Sequence, residues 1–550
     1  MPTGESRLMT AMRALYAFTC GAVVVAFVPS PFHALRPAAT ATGPSSCAAA
    51  SPFGPEKMKD PVCLSRRLTT VGRAVAAAAE GAPTAAAAAA TSGTSDETTN
   101  SRGVARAATP VVLVCSDRAV LETFAVHLSK SGGSAGTGAS RIIDLREVAM
   151  SHGARGVEQA LVESKAADVL VCPLPLCLDQ PGIESAVRAH PLTVHLATGA
   201  DGEDVAARGR CERATRYTVV VGDTKVDEDH AKEELSHLVA FARRPRRSPS
   251  DVALDMGKNT FFLSLTFEDF APHTELLPAL AEGADAMELR VDLLADSEDP
   301  YSILRQLSIL RRHTGHLPVV FTIRSKGQCG AFPDDPEKLF RLARWGLRAG
   351  CEVMDVEANW PMSFREGLIR EAKENYPGAM LVGSYHVVGK KTTEDQARKL
   401  FMECYHDGAV DAVKVVTTAF DPEDSIRVHT AARSLALPVP YIGLCLTEAG
   451  KLSRVLNERY TPVTHEKLPF VAAPGQMTSK EIMRHRVELG LCPRRSFFLF
   501  GSPISASPAR TCTTRASAAP ACPTSTPCAR GRTPRSWLRR CRGRTSAGPL

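Results

Sequence analysis

The chain has 550 residues, 44% of them hydrophobic, with a formal net charge of +7 and 16 cysteines. That length allows two or three domains with real cores, and the composition excludes a wholly disordered chain. Much of the positive excess sits in arginine-rich ends such as residues 530–544, with no aromatic-interleaved stripe, so nucleic acid is not an expected partner. The cysteines show neither paired CxxC spacing nor the density of a disulfide scaffold, which points to free thiols in a reduced compartment.

Residues 1–109 read as a disordered leader of signal and transit type. Arg7 and Arg13 precede an apolar run over 14–28, the length of a secretory h-region and too short for a stable membrane span. A tract rich in Ala, Ser, Thr and Pro follows, free of acids until Glu56. This arrangement resembles the bipartite leader of proteins sent to plastids of secondary origin, and Ala26-Phe-Val-Pro is similar to the phenylalanine-containing cleavage site of such leaders. The expected location is therefore a secondary plastid, or the cytoplasm if the segment is merely a tail.

Residues 110–243 alternate short apolar runs with amphipathic segments. Strands are expected at 111–115, 141–145, 168–172, 192–196 and 217–221, which makes a small three-layer α/β domain. A phosphate-binding loop after the first strand would need glycines and a lysine, and the turn is instead Ser116-Asp-Arg-Ala. Order and spacing weakly resemble a shikimate kinase domain that has lost its phosphate loop, which implies packing or docking without kinase activity. Residues 244–257, opening on a basic Pro/Ser-rich stretch, read as a linker.

From 258 to 491 the pattern becomes more regular. Apolar runs fall at 260–267, 286–293, 318–323, 353–357, 379–386, 412–417 and 440–446, with a weaker eighth around 470–473 and helical segments between most of them. Eight strands over roughly 230 residues fit a (β/α)8 TIM barrel, whose active site lies at the C-terminal ends of the strands. No dinucleotide-binding glycine fingerprint follows any strand, which disfavours the rival doubly wound sheet.

Chemistry concentrates at those strand ends. Lys414 lies between Val413 and Val415, where loss of hydration favours the neutral, nucleophilic amine. His386 closes the preceding strand, so a parallel βαβ unit brings the two within reach. Glu288, Arg290 and Asp292 share one face of the second strand by alternation. Arg324 ends the third, and Arg454 follows the seventh. Such a set suits an anionic, hydroxylated substrate: arginines for a carboxylate, carboxylates for hydroxyls, a lysine for a carbonyl.

The motifs Met287-Glu-Leu-Arg-Val-Asp292, Phe321-Thr-Ile-Arg324, Gly383-Ser-Tyr-His386, Val413-Lys-Val415, Gly450-Lys-Leu-Ser-Arg454 and Ala472-Ala-Pro-Gly-Gln476 together resemble the type I 3-dehydroquinate dehydratases. Gln328, where bacterial members usually have glutamate, and Thr461-Pro-Val-Thr-His465 look more like the version in the fungal arom polypeptide. Leu444 and Leu446 stand where many members have methionines. The resemblance implies a hydro-lyase of the shikimate pathway that converts 3-dehydroquinate to 3-dehydroshikimate. In it Lys414 forms an imine, His386 shuttles protons, and Ser264, Glu288, Arg290, Arg324, Arg454 and Gln476 hold the substrate. It implies no cofactor and no metal, and a homodimer as the common state. Glu288 is a further candidate to orient His386.

The alternatives are a catalytically silent barrel serving as a scaffold in a shikimate-pathway assembly and, more weakly, another imine-forming barrel such as a class I aldolase. Beyond residue 491, Ser496-Phe-Phe-Leu-Phe-Gly-Ser-Pro-Ile-Ser505 resembles the opening strand of a shikimate dehydrogenase. The remainder to 550 has the composition of disorder and reads as a shifted reading frame.

Overall fold

In the computed structural model, the described residues are 109–131, 140–173, 180–198, 205–222, 225–248, 251–252, 255–469 and 471–493, with the dipeptides 25–26 and 498–499. Apart from those dipeptides and residue 109, the leader lies outside the described residues, as does the tail beyond 493.

Five short strands form the first sheet: β1 Val111–Cys115, β2 Ile142–Asp144, β3 Val169–Pro173, β4 Thr193–Thr198 and β5 Tyr217–Val221. They pair in parallel in the order β2-β3-β1-β4-β5. Parallel neighbours require crossovers, supplied by α1 Arg118–Ser131, α2 Leu145–Glu163, α3 Pro181–Ala189 and α4 Val205–Ala214, with α5 Lys225–Ala242 following β5. β1 and β3 are buried at every residue, as strands covered on both faces are. After β1 the Asp117 carboxylate accepts from the amides of Ala119 at 2.7 Å and Val120 at 3.2 Å. It thereby takes the start of α1, where a phosphate loop would place phosphate.

The second sheet is a nearly closed barrel of eight parallel strands: β6 Phe261–Leu265, β7 Ala286–Arg290, β8 Val319–Thr322, β9 Val353–Glu357, β10 Met380–His386, β11 Ala412–Thr418, β12 Tyr441–Leu446 and β13 Thr461–Val463. The surrounding helices are α6 Leu277–Leu280, α7 Pro300–Thr314, α8 Pro336–Arg348, α9 Met362–Asn375, α10 Glu394–Tyr405, α11 Glu423–Ser434, α12 Lys451–Leu456 and α13 Ser479–Glu488. Asp299 and Asp335 cap α7 and α8, each followed by a proline whose fixed φ suits the first turn.

The eighth strand is where sequence and structure part. The apolar run around 470–473 is not a strand: Phe470 lies outside the described residues, Val471 is irregular, and Ala472 and Ala473 form a bend. The strand is Thr461–Val463, in register with Phe261 to Leu263. A proline in three residues hid it, because proline cannot donate to a ladder. Thr461 donates toward β6, so alternation turns the nitrogen of Pro462 to the other side, where no ladder joins β13 to β12. Side chains stitch this seam. Asn457 accepts from the amide of Gly443 in β12 at 3.1 Å and donates to the Thr461 hydroxyl in β13 at 2.9 Å.

Inside the barrel, Phe262, Ala286, Val320, Val353, Met380, Val382, Ala412 and Ile442 form an apolar floor, and Val252, Met256 and Tyr460 belong to the same cluster. Val252 and Met256 come from the segment read as a linker, and Arg459 holds the Met256 carbonyl at 2.7 Å. This segment plugs the N-terminal end of the barrel.

The small sheet packs on the outside of the barrel across α5 and β5. Tyr217 meets Tyr376 edge to face at 5.4 Å, and Leu238 and Phe241 lie against Gly350 and Gly378. Arg348 donates to the Thr215 carbonyl at 2.7 Å and the Thr218 hydroxyl at 3.1 Å. The buried Arg311 of α7 pairs with the buried Glu234 of α5 at 2.9 Å. Removing one partner of such a pair costs about 3–5 kcal/mol, because it strands the other charge. Arg311→Met is therefore expected to lower the unfolding free energy from urea denaturation by that amount; an unchanged value would mean the contact contributes nothing.

Candidate active site

Above the apolar floor the inward-facing residues change from hydrocarbon to charge. Ser264 on β6, Glu288 on β7, Thr322 on β8, Asp355 on β9, Ser384 on β10 and Lys414 on β11 are bound to one another in a ring. Glu288 accepts from the Ser264 hydroxyl at 2.5 Å and from the Thr322 hydroxyl at 2.9 Å. Lys414 Nζ donates to Asp355 at 3.2 Å and stands 3.7 Å from Glu288. Ser384 donates to Asp355 at 2.5 Å. The lysine also sits over the Phe262 ring, 5.5 Å from its centroid, a favourable place for a cation.

Sequence reasoning put Lys414 alone in an apolar wall. The structure puts it between two carboxylates, so charge pairing opposes the desolvation on which that reading relied. Asp355 is the residue the reading missed. Burial alone would raise its carboxyl, but the charges of Arg324 and Lys414 and the Ser384 hydroxyl outweigh burial and hold it well below the usual carboxylate range.

His386 follows Ser384 by two residues in β10, and Ser384 is in register with Lys414. Alternation places histidine and lysine on one face of adjacent strands. Burial, reinforced by the charges of Arg324 and Lys414, pushes the imidazole well below its ordinary value, against the opposing pull of Asp355. It is neutral at neutral pH, as a proton acceptor must be. Its backbone amide donates to Gln328 at 2.5 Å, and its Nδ1 is buried without a hydrogen-bond partner among the described residues. No hydrogen bond joins it to Glu288, which is committed to Ser264, Thr322 and Lys414.

This fixes the sign of a pH dependence. If the neutral imidazole is the working base, kcat/KM should stay level as pH falls through 6.5 and drop only well below it. An acid limb centred at or above the ordinary imidazole value would contradict the assignment.

Arg324 donates to Asp355 at 2.9 Å, Glu357 at 2.8 Å and Ser384 at 3.1 Å, which makes it the clamp between β8, β9 and β10. Glu357 is held in turn by the indole of Trp360 at 3.1 Å. Arg290 and Asp292 form a bidentate pair, both bonds 2.8 Å, and Asp292 accepts from the amide of Ala331 at 3.0 Å. Of the expected trio on one face, only Glu288 joins the ring under the lysine. Leu444 is buried and Leu446 half-buried, both on the wall beyond β11.

Arg454 differs from the other buried arginines of the mouth. It is 2% exposed, and its guanidinium donates to two carbonyls, Gly475 at 2.9 Å and Pro462 at 3.2 Å. No carboxylate pairs with it among the described residues, and burial pushes it down to about 10, which still leaves it charged at neutral pH. Gly475 has φ +78°, and a Cβ there would lie 2.0 Å from the Thr447 carbonyl, so only glycine fits. The next residue, Gln476, is half-buried, with its side-chain oxygen unpartnered among the described residues.

Residues 261–486 match the family model described as type I 3-dehydroquinase. The pentafunctional AROM polypeptide of Malassezia globosa is 39% identical over 254 residues, 45% of this chain and 15% of that protein. That of Komagataella phaffii is 38% identical over 250 residues, 45% of this chain and 16% of that one. The chain thus spans about 15% of the length of the curated relatives it matches. Among solved structures, the dehydroquinate dehydratase and shikimate dehydrogenase of S. pombe AroM is 28% identical, covering 49% of this chain and 52% of that one at a TM-score of 0.43. The barrel, residues 261–486, is thus similar to the type I 3-dehydroquinases.

Proposed function

We propose that the barrel is a 3-dehydroquinate dehydratase, a carbon–oxygen hydro-lyase of the shikimate pathway that works through a Schiff base on Lys414. The observation that carries this is the Lys414 amine, held between Asp355 and Glu288 on the same wall as a neutral imidazole. The amine adds to the substrate ketone and water leaves as the imine forms. The imine draws electrons from the adjacent carbon, and His386 takes that carbon's proton. The electron pair forms the new double bond as the hydroxyl departs, protonated by the imidazolium. Hydrolysis of the imine then frees the product and the lysine. Arg454, charged and without a carboxylate partner, suits the substrate carboxylate, and Gln476 beside it can accept from a hydroxyl. Borohydride added during turnover of 3-dehydroquinate should leave a reduced adduct on the Lys414 peptide by mass spectrometry. Turnover with no adduct there would refute the mechanism.

The proposal for the α/β segment is docking without phosphoryl transfer, supported by Asp117 filling the start of α1. For the leader it is import into a plastid. A fluorescent protein carrying residues 1–109 tests the second, and diffuse cytosolic signal would end it.

A further inference from the structure

A second site lies on the other side of the barrel wall, between the strands β9 and β10 and the helices α9 and α10. A cavity of about 10 Å³, room for one water-sized occupant, is lined by Arg365, Gly383, Cys404 and His406, with Val356 and Val410 behind them. Arg365 is 7% exposed. One guanidinium nitrogen meets the Met362 sulfur at 3.5 Å, and Nε is buried without a hydrogen-bond partner among the described residues. No described carboxylate lies within ion-pair distance of it. Nor can Cys404 serve as the counter-charge: burial pushes its thiol far up, and it points its proton at the Lys414 carbonyl, 3.7 Å away. Gly383 lets α10 lie close against the strand beside the cavity, since a Cβ there would meet the Cys404 carbonyl at 2.1 Å and force the helix away.

A buried guanidinium without a counter-charge is strongly disfavoured, and the space beside it fits a single atom of water's size. We infer that this cavity binds one small inorganic anion of chloride's size, held by Arg365, with the His406 ring as a second donor. The site is separate from the mouth and does not depend on the reaction proposed there.

The full chain should unfold about 2 °C higher in saturating sodium chloride than in sodium gluconate of equal ionic strength, and the rise should saturate with concentration. Arg365→Met should lose this difference. Equal midpoints in the two salts, or a difference that survives Arg365→Met, would overturn the inference. If the variant does not fold, crystals of the unaltered protein soaked in sodium bromide decide the matter. An anomalous peak beside Arg365 Nε supports the site, and a water there with no anomalous signal refutes it.

Discussion

Lys414→Met should abolish turnover of 3-dehydroquinate, by more than about 10⁴-fold in kcat, and with it all borohydride-stable adduct. The size follows from the role: a covalent nucleophile has no partial substitute, and no other described amine is placed in the polar ring. Methionine matches the length of the lysine stem and can keep its place over Phe262, so the barrel should persist. Asp355 keeps Arg324 as its partner when the ammonium is gone. Circular dichroism and the urea midpoint check that the loss is chemical. Retention of even about a tenth of the activity would remove the lysine from the mechanism.

Asp355→Asn should produce the second-largest effect, and in two currencies at once. The carboxylate is shared by Lys414 and Arg324, so neutralising it leaves two buried cations facing each other with one negative charge fewer. Breaking a buried pair in this way should cost roughly 3 kcal/mol, the lower end of the range, since asparagine can still accept from Ser384. The lysine also loses the partner that positions it, and kcat should fall about 10²–10³-fold. The pH dependence has a definite sign. The folded carboxyl titrates below its unfolded counterpart, so its stabilisation is complete above the ordinary carboxylate range and is lost as pH falls through the folded value. The variant lacks that acid-side loss, and its stability should vary less with pH below about 4. A variant as stable and as active as the parent would show that Glu288 alone suffices for the amine.

The barrel was legible because its strands carry local signatures. Val413-Lys-Val415 and Met287-Glu-Leu-Arg290 announce a buried strand with one working face, and alternation alone orients the side chains. The site was legible only in part. Asp355 and Glu357 lay in a strand whose place was expected, yet nothing in Val353–Glu357 says that β8 and β10 bring Arg324 and Ser384 to them. Two carboxylates at alternate positions of an otherwise apolar strand were the available signal. The contact of the α/β segment with the barrel was invisible for the same reason. Arg311 and Glu234, or Tyr217 and Tyr376, are too far apart in sequence for any periodicity to link them.

Arg454 answers to two demands at once. In the proposed function it meets the substrate carboxylate, and through the Pro462 carbonyl it is also one of the fasteners across the gap between β12 and β13. Selection for a different acid at this position would therefore disturb barrel closure together with specificity. Variants at 454 that accept new substrates should arise chiefly where a second change, near Asn457 or Thr461, has already strengthened the joint.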